Sequence, residues 1–248
     1  MSYNTALDHF IMENNTRILS GFQIQPRYKP EPAQSTKTNQ KDLNGNMNDN
    51  TKNWLMAVNL NQYKKTQTEI YKLAGFSAGT GSRISQFCEK NNLVKTIQVK
   101  FGRGSPKYPV LLPEAYKVLG IQEKKFYGKG AGHEHILCQH LIAEHFSEYK
   151  PVIELNRNNK FIDVGIETNE FLLCIEVALT AVHEKENIEK NFYLAKADFV
   201  IVACKDEKVQ KEVQAIVLEM SEQIRNKTKV YLLSKILSKR PEEIINCL

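Results

Sequence analysis

Asp163 and Glu176 sit on two adjoining apolar runs, KFIDVGI and FLLCIEVALT, joined by the polar turn Glu167-Thr168-Asn169-Glu170. Two carboxylates on neighbouring strands can hold one hard divalent cation through oxygen ligands. Side chains alternate along a strand, so Phe171, Leu173, Ile175, Val177 and Leu179 share an apolar face and Glu176 lies opposite with Leu172, Cys174 and Ala178. Ile162 and Val164 are expected to join the apolar face, leaving Phe161, Asp163 and Gly165 on the other. With the turn centred between Thr168 and Asn169, Asp163 faces Cys174 and Phe161 faces Glu176. The carboxylates are then diagonal neighbours about 7 Å apart at the backbone. An Asp and a Glu in strands often only face water, but both runs are too apolar for strands with one solvated face. A carboxylate inside such a run is costly unless paired or metal-bound, so a cation is expected between the two.

The elements that position this hairpin follow from periodicity and punctuation. A helix over 134–146 precedes a strand at 152–155. After the hairpin come a helix at 184–195, a buried strand at 197–204, an amphipathic helix at 208–225 and a last strand at 229–233. The order is αβββαβαβ, a meander of three strands followed by strands that return through helical crossovers.

This order, with an acid on the first helix, Asp163 on the second strand and Glu176 on the third, resembles the core of the PD-(D/E)XK nucleases over about residues 130–235. The resemblance implies an α/β fold with an αβββαβ restriction-endonuclease-like core, occupying 130–248, and a Mg²⁺ or Mn²⁺ cofactor. It makes Asp163 and Glu176 metal ligands, Glu134 the third acid, the carbonyl of Val177 a further ligand and Glu154 a weaker candidate. The lysine that those nucleases carry two residues after the glutamate is Ala178 here. Lysine migrates to the next helix in some members, which points to Lys185 or Lys190. Lys190 is preferred because Asn187, Lys190, Asn191 and Leu194 form one helical stripe. In this family the metal activates a water, and the lysine orients or deprotonates it.

Charge divides the chain. Residues 53–129 hold 13 Lys and Arg against four Glu, a net of +9, whereas 130–248 hold 15 against 19, a net of −4. A basic module beside an acidic one implies two parts with different tasks, the basic one meeting phosphates. Residues 1–52 read as an N-terminal segment with some apolar residues followed by a polar linker at 29–52. From Trp54 a short first helix, a capping box at Thr66-Gln-Thr-Glu69 opening a second, and a third helix with Ile84, Phe87 and Cys88 on its buried face precede strands around Gly102-Arg-Gly-Ser-Pro-Lys107. This arrangement resembles a winged helix–turn–helix, an α+β domain at 53–129. The resemblance implies DNA as partner. The third helix would be the reader, through Ser77, Thr80, Ser82 and Arg83. Lys100, Arg103 and Lys107 on the wing would bind phosphate, with Lys64, Lys65 and Gln67 near the second helix reaching the backbone. A winged helix used for protein contacts, with solvated lysines, is the competing reading.

Gly128-Lys-Gly-Ala-Gly132 reads as a flexible hinge and lacks the context of a phosphate loop. Five of the six histidines lie between His133 and His183 without zinc-ligand spacing, and one or two are expected to touch phosphate beside the metal. The five cysteines form no CxxC and imply reduced thiols in a cytoplasmic protein. No run is long enough to span a membrane, and the N-terminus lacks the pattern of a signal peptide. The chain is also similar to the C-terminal regions of some HerA/FtsK-type and conjugation-type ATPases of mobile elements. That similarity implies an ATPase motor or a replication or transfer protein as partner; a second copy of the chain is the remaining partner expected. The alternative to a nuclease is a catalytically inactive DNA-binding adaptor or regulator.

Overall fold

Asn48, inside the segment whose composition reads as linker, caps the first helix. Its side chain accepts the Asn50 N–H at 2.8 Å, and α1 runs Asp49–Asn61. The computed structural model describes residues 47–99, 104–124, 126 and 132–248. Lys100, Arg103, most of the linker, the N-terminal segment and most of the glycine hinge lie outside them. In α2 (Gln67–Leu73) the capping box forms as expected, Thr66 and Glu69 each accepting the other's backbone N–H. α3 (Ala78–Lys90) buries Gly81, Ser85 and Cys88, while Phe87 is exposed. The expected inward face of α3 is therefore rotated. The cause is the Tyr71 ring, which packs so close to Gly81 that any Cβ there would overlap it. Gln67 donates to Ser85 and so is turned inward, away from any phosphate.

The strands β1 (Val94–Gln98) and β2 (Lys107–Leu111) pair antiparallel, and α4 (Pro113–Leu119) closes the helical half. Buried Gln62 ties these pieces together, donating to the Tyr116 hydroxyl at 2.7 Å and accepting the Leu111 N–H at 3.2 Å. The β1–β2 ribbon is covered on both faces. Val94 and Leu111 join Trp54, Leu55, Val58 and Ile70 in one cluster. Ile97, Val99, Tyr108 and Val110 join a second cluster with Ile136, Leu137 and Ile142 of α5 (His133–His145).

The second half is a five-stranded mixed sheet of order β3-β4-β5-β6-β7, and its class is the α/β expected. The strands are β3 (Val152–Arg157), β4 (Lys160–Glu167), β5 (Leu172–Ala178), β6 (Phe199–Cys204) and β7 (Thr228–Leu232). The first three pair antiparallel and the last two add in parallel, through helical crossovers. The first crossover is α6 (Glu184–Lys190) continuing into a π-helical turn at Asn191–Ala195. The second, expected as one helix, is two: α7 (Glu207–Leu218) and α8 (Glu222–Asn226), broken at Ser221. Helices α9 (Leu233–Ser238) and α10 (Pro241–Ile245) follow, unforeseen in the sequence. The sheet separates two clusters. Val164, Ile166, Leu173, Ile175 and Val177 pack on the α5 side; Ile162, Cys174 and Ala178 pack on the side of Ile188, Val209 and Val213.

Tyr63 joins the halves. Its side chain is buried, its hydroxyl lies 2.7 Å from Nδ1 of His133, and its ring stacks on His140 at 5.5 Å and meets Phe126 edge-on at 4.6 Å. Burial lowers the pKa of both histidines, so neutral imidazoles suit the stack. No helix among the described residues is long and apolar enough to cross a membrane. Cys88, Cys138, Cys174 and Cys204 are buried free thiols and Cys247 is an exposed one.

Candidate metal centre

The register of the hairpin differs from that expected. Gly165, not Asp163, faces Cys174, and Val164 faces Ile175. The apex is shifted by one residue because the Thr168 hydroxyl accepts the N–H groups of Glu170 and Phe171 at 3.2 and 3.1 Å, building the turn around itself. One residue at the apex moves the pairing by two, and the ladder ends at Val164↔Ile175, one residue short of Asp163 and Glu176.

A second departure lies at Asp163 itself. Ile162 and Val164 fall in opposite clusters, although residues two apart on a strand should share a face. The β3–β4 ladder keeps one register on both sides, Ile153↔Val164 and Leu155↔Ile162, but the pair between them is missing. Those missing residues are Glu154 and Asp163. Glu154 has φ of 54°, a left-handed conformation unusual for a side chain of this size. The interruption turns both carboxylates out of the pleat and onto α5. Gly165 sits just beyond it, where a Cβ would overlap the Leu155 side chain.

On α5 they meet His135 and Gln139. Nε2 of His135 lies 3.0 Å from Oδ1 of Asp163. The Gln139 amide, fully buried, donates to Oε1 of Glu154 at 2.7 Å and to Oδ1 of Asp163 at 3.1 Å. The other oxygen of Asp163 accepts the Val177 N–H at 2.7 Å. Val177 therefore enters through its amide, rather than through the carbonyl expected. One ligand atom each from His135, Glu154 and Asp163 lies within 4.8 Å of the others, close enough that small side-chain rotations would bring all three onto one ion. Burial lowers the pKa of His135, but its bond to Asp163 and the charges of Asp163, Glu154 and Glu176 outweigh it and raise the value.

Glu176 lies outside that trio. It is buried, 3 % exposed. Asn191 donates to its Oε1 at 2.8 Å, and the Lys160 ammonium lies 3.3 Å from the same oxygen. Burial and then the charge of Asp163 raise its pKa against the opposing pull of Lys160 and Asn191. Glu184, at the start of α6, is the second buried acid. Burial first, then Asp163, pushes its carboxyl up to about 7, and its Oε2 has no hydrogen-bond partner. The side-chain oxygens of Gln139 and Asn191 are likewise buried and unpartnered. Glu176 and Glu184 are thus two buried acids whose charged forms are disfavoured by burial and by Asp163, a deficit that a divalent cation would offset.

Glu134 is exposed and makes no bond to the group; its neighbour His135 points in instead. Lys190 pairs with Glu186 at 2.6 Å and is 45 % exposed, and Lys185 is also exposed. Neither reaches Glu176. The lysine at the site is Lys160, unforeseen, whose side chain is 11 % exposed. It follows the tight turn Asn158-Asn159, both at positive φ, where Asn is at ease. Ala178 is fully buried in the cluster beyond the sheet, so a lysine there would have no path to solvent. In the helical half, Ser77 caps α3 and accepts the Thr80 N–H at 3.2 Å. Ser82 is half-buried, and Arg83 and Lys107 are exposed. Lys64 is exposed, and Lys65 pairs with Glu69 at 3.7 Å.

No family model, curated protein or solved structure matches this chain.

Proposed function

We propose that the protein binds DNA through its N-terminal helical half and hydrolyses phosphodiesters at the carboxylate cluster, with Mg²⁺ or Mn²⁺ as cofactor. The observation that carries this reading is the buried pairing of Glu176 with Lys160 beside Asp163 and Glu184, with the oxygens of Glu184 and Asn191 unpartnered. Asp163, Glu176 and Glu184 would hold the ion. Once bound it would lower the pKa of a coordinated water and offset charge developing on the phosphate. Lys160 supplies a cation fixed within reach of Glu176, able to hold a water or a phosphate oxygen by hydrogen bonding. This is the service that Ala178 cannot give. Asn191 and Lys160 fix Glu176, and Val177, His135 and Gln139 fix the two oxygens of Asp163, so both acids are held in place. The order of elements supports a nuclease-like core over 130–248, and the three helices followed by a ribbon support a winged-helix reading of the first half. Its net charge of +9 over 53–129, with Arg83 and Lys107 exposed, favours DNA as the partner.

The test is cleavage of single-stranded, duplex and branched DNA with Mg²⁺ or Mn²⁺. Wild type should cut, and Asp163→Asn and Glu176→Gln should lose at least about a hundredfold in rate while staying folded. No cutting on any substrate with either metal defeats the reading. DNA binding that persists in EDTA would then leave a non-catalytic adaptor, docking beside a motor or transfer protein.

A further inference from the structure

We propose that His135, Glu154 and Asp163 form a mixed imidazole–carboxylate site for a first-row divalent transition ion, which shares Asp163 with the all-oxygen environment of Glu176 and Glu184 but takes its other ligands from α5 and β3. The proposal stands on the geometry of three elements and does not require that the protein cleave DNA.

Four observations support it. The first is chemical. One neutral imidazole and two carboxylates carry a charge of −2, which a divalent ion neutralises, and an imidazole ligand favours Mn²⁺, Fe²⁺, Co²⁺ or Zn²⁺ over Mg²⁺. The second is metric. Bonds of about 2.1 Å at right angles put neighbouring ligand atoms about 3.0 Å apart, and Nε2 of His135 lies 3.0 Å from Oδ1 of Asp163. All three ligand atoms fit within 4.8 Å. The third is the backbone. Glu154 holds a left-handed φ of 54° and the ladder pair between it and Asp163 is absent, on strands otherwise regular. Such an interruption is unfavourable by itself and persists where the surroundings enforce it. Its effect here is to bring two like charges together, which folding alone does not favour.

The fourth is Gln139. It is fully buried, its nitrogen bridges Glu154 and Asp163, and its oxygen has no partner. Exchanging the two ends of the amide would aim an oxygen at two carboxylates, so the donor orientation is fixed by its neighbours. Gln139 thereby holds both carboxylates in place beside His135, as residues behind metal ligands do. Val177 fixes the far oxygen of Asp163, leaving Oδ1 toward the imidazole.

The experiment is Mn²⁺ binding to the full chain, followed by calorimetry and by pulsed electron paramagnetic resonance. Wild type should bind Mn²⁺ at least tenfold more tightly than Mg²⁺ and show nitrogen-14 modulation from a coordinated imidazole. His135→Ala should lose that modulation. His135→Ala and the isosteric Glu154→Gln should each weaken Mn²⁺ binding by about tenfold to a hundredfold. Glu176→Gln should retain the modulation while losing DNA cleavage, which separates this site from the proposed hydrolytic one. Thermal unfolding of each variant checks that the fold is kept. Equal affinity for Mn²⁺ and Mg²⁺, absence of nitrogen modulation in wild type, or its persistence in a folded His135→Ala protein would overturn the proposal.

Discussion

Replacing Glu184 by glutamine should stabilise the metal-free protein at pH 8 by about 3 kcal/mol and leave it nearly unchanged at pH 4.5. Glu184 is 5 % exposed, one of its oxygens has no partner, and burial followed by the charge of Asp163 lifts its carboxyl from 4.5 to about 7. The folded state therefore keeps a proton that the unfolded chain gives up. Below about pH 4.5 both states are protonated and the group is silent. As pH rises from there to about 7 the unfolded state gains the advantage, and above 7 the penalty is constant. A rise from 4.5 to about 7 therefore corresponds to a penalty on the order of 3 kcal/mol. Glutamine keeps the shape and removes the ionisation. At about 2–4 °C per kcal/mol for a chain of this size, the variant should melt about 6–12 °C above wild type at pH 8 in EDTA. The assay is thermal denaturation at pH 4.5 and 8, with and without Mg²⁺ or Mn²⁺. Either metal should raise wild type more than the variant at pH 8, since an ion relieves the same penalty. Equal melting temperatures at pH 8, or an equal gap at both pH values, would refute the assignment of Glu184 as a strained buried acid.

Three further outcomes are expected. Lys160→Met should lower metal-dependent DNA cleavage by about a hundredfold to ten-thousandfold, whereas Lys190→Ala, which removes only an exposed pair with Glu186, should change the rate by less than about twofold; steady-state rates on one DNA substrate decide it. Gly165→Ala should destabilise by about 1–3 kcal/mol in urea unfolding, because the added methyl overlaps Leu155 at the interruption of β3 and β4. Arg83→Ala and Lys107→Ala should weaken DNA binding and each reduce the salt dependence of the binding constant by about one phosphate contact, read from binding isotherms at several salt concentrations.

The acidic hairpin could be read from sequence because Asp163 and Glu176 interrupt apolar runs, and burial of a carboxylate is visible as a violation of pattern. The order of strands and helices was legible for the same reason: each has its own period. What was not legible depended on single atoms or on distant partners. The Thr168 hydroxyl sets the turn apex, and a one-residue error there displaced the register. The positive φ of Glu154 has no sequence signature, since nothing in the residue type favours it, so its meeting with Asp163 was missed. His135 has no ligand-spaced partner within its own helix; its companions come from β3 and β4, far away in sequence. Lys160 lies upstream of Glu176, at the start of β4, and only the fold lets its long side chain reach that carboxylate. Ser221, a helix-capping residue type, could have revealed the break between α7 and α8.

The β1–β2 ribbon, gripped between α1–α3 on one face and α5 on the other, gives the molecule a fixed gauge. Ile97, Val99, Tyr108 and Val110 share a core with the helix that carries His135, and Tyr63 pins the same helix from the other half. On the proposed function, a polymer held by α3 would be offered to Asp163 at one spacing, set by side-chain packing instead of by the length of a tether. Any cut it makes should fall at a constant number of nucleotides from the segment it grips, and loosening Tyr108 should blur that interval before it abolishes either grip or cut.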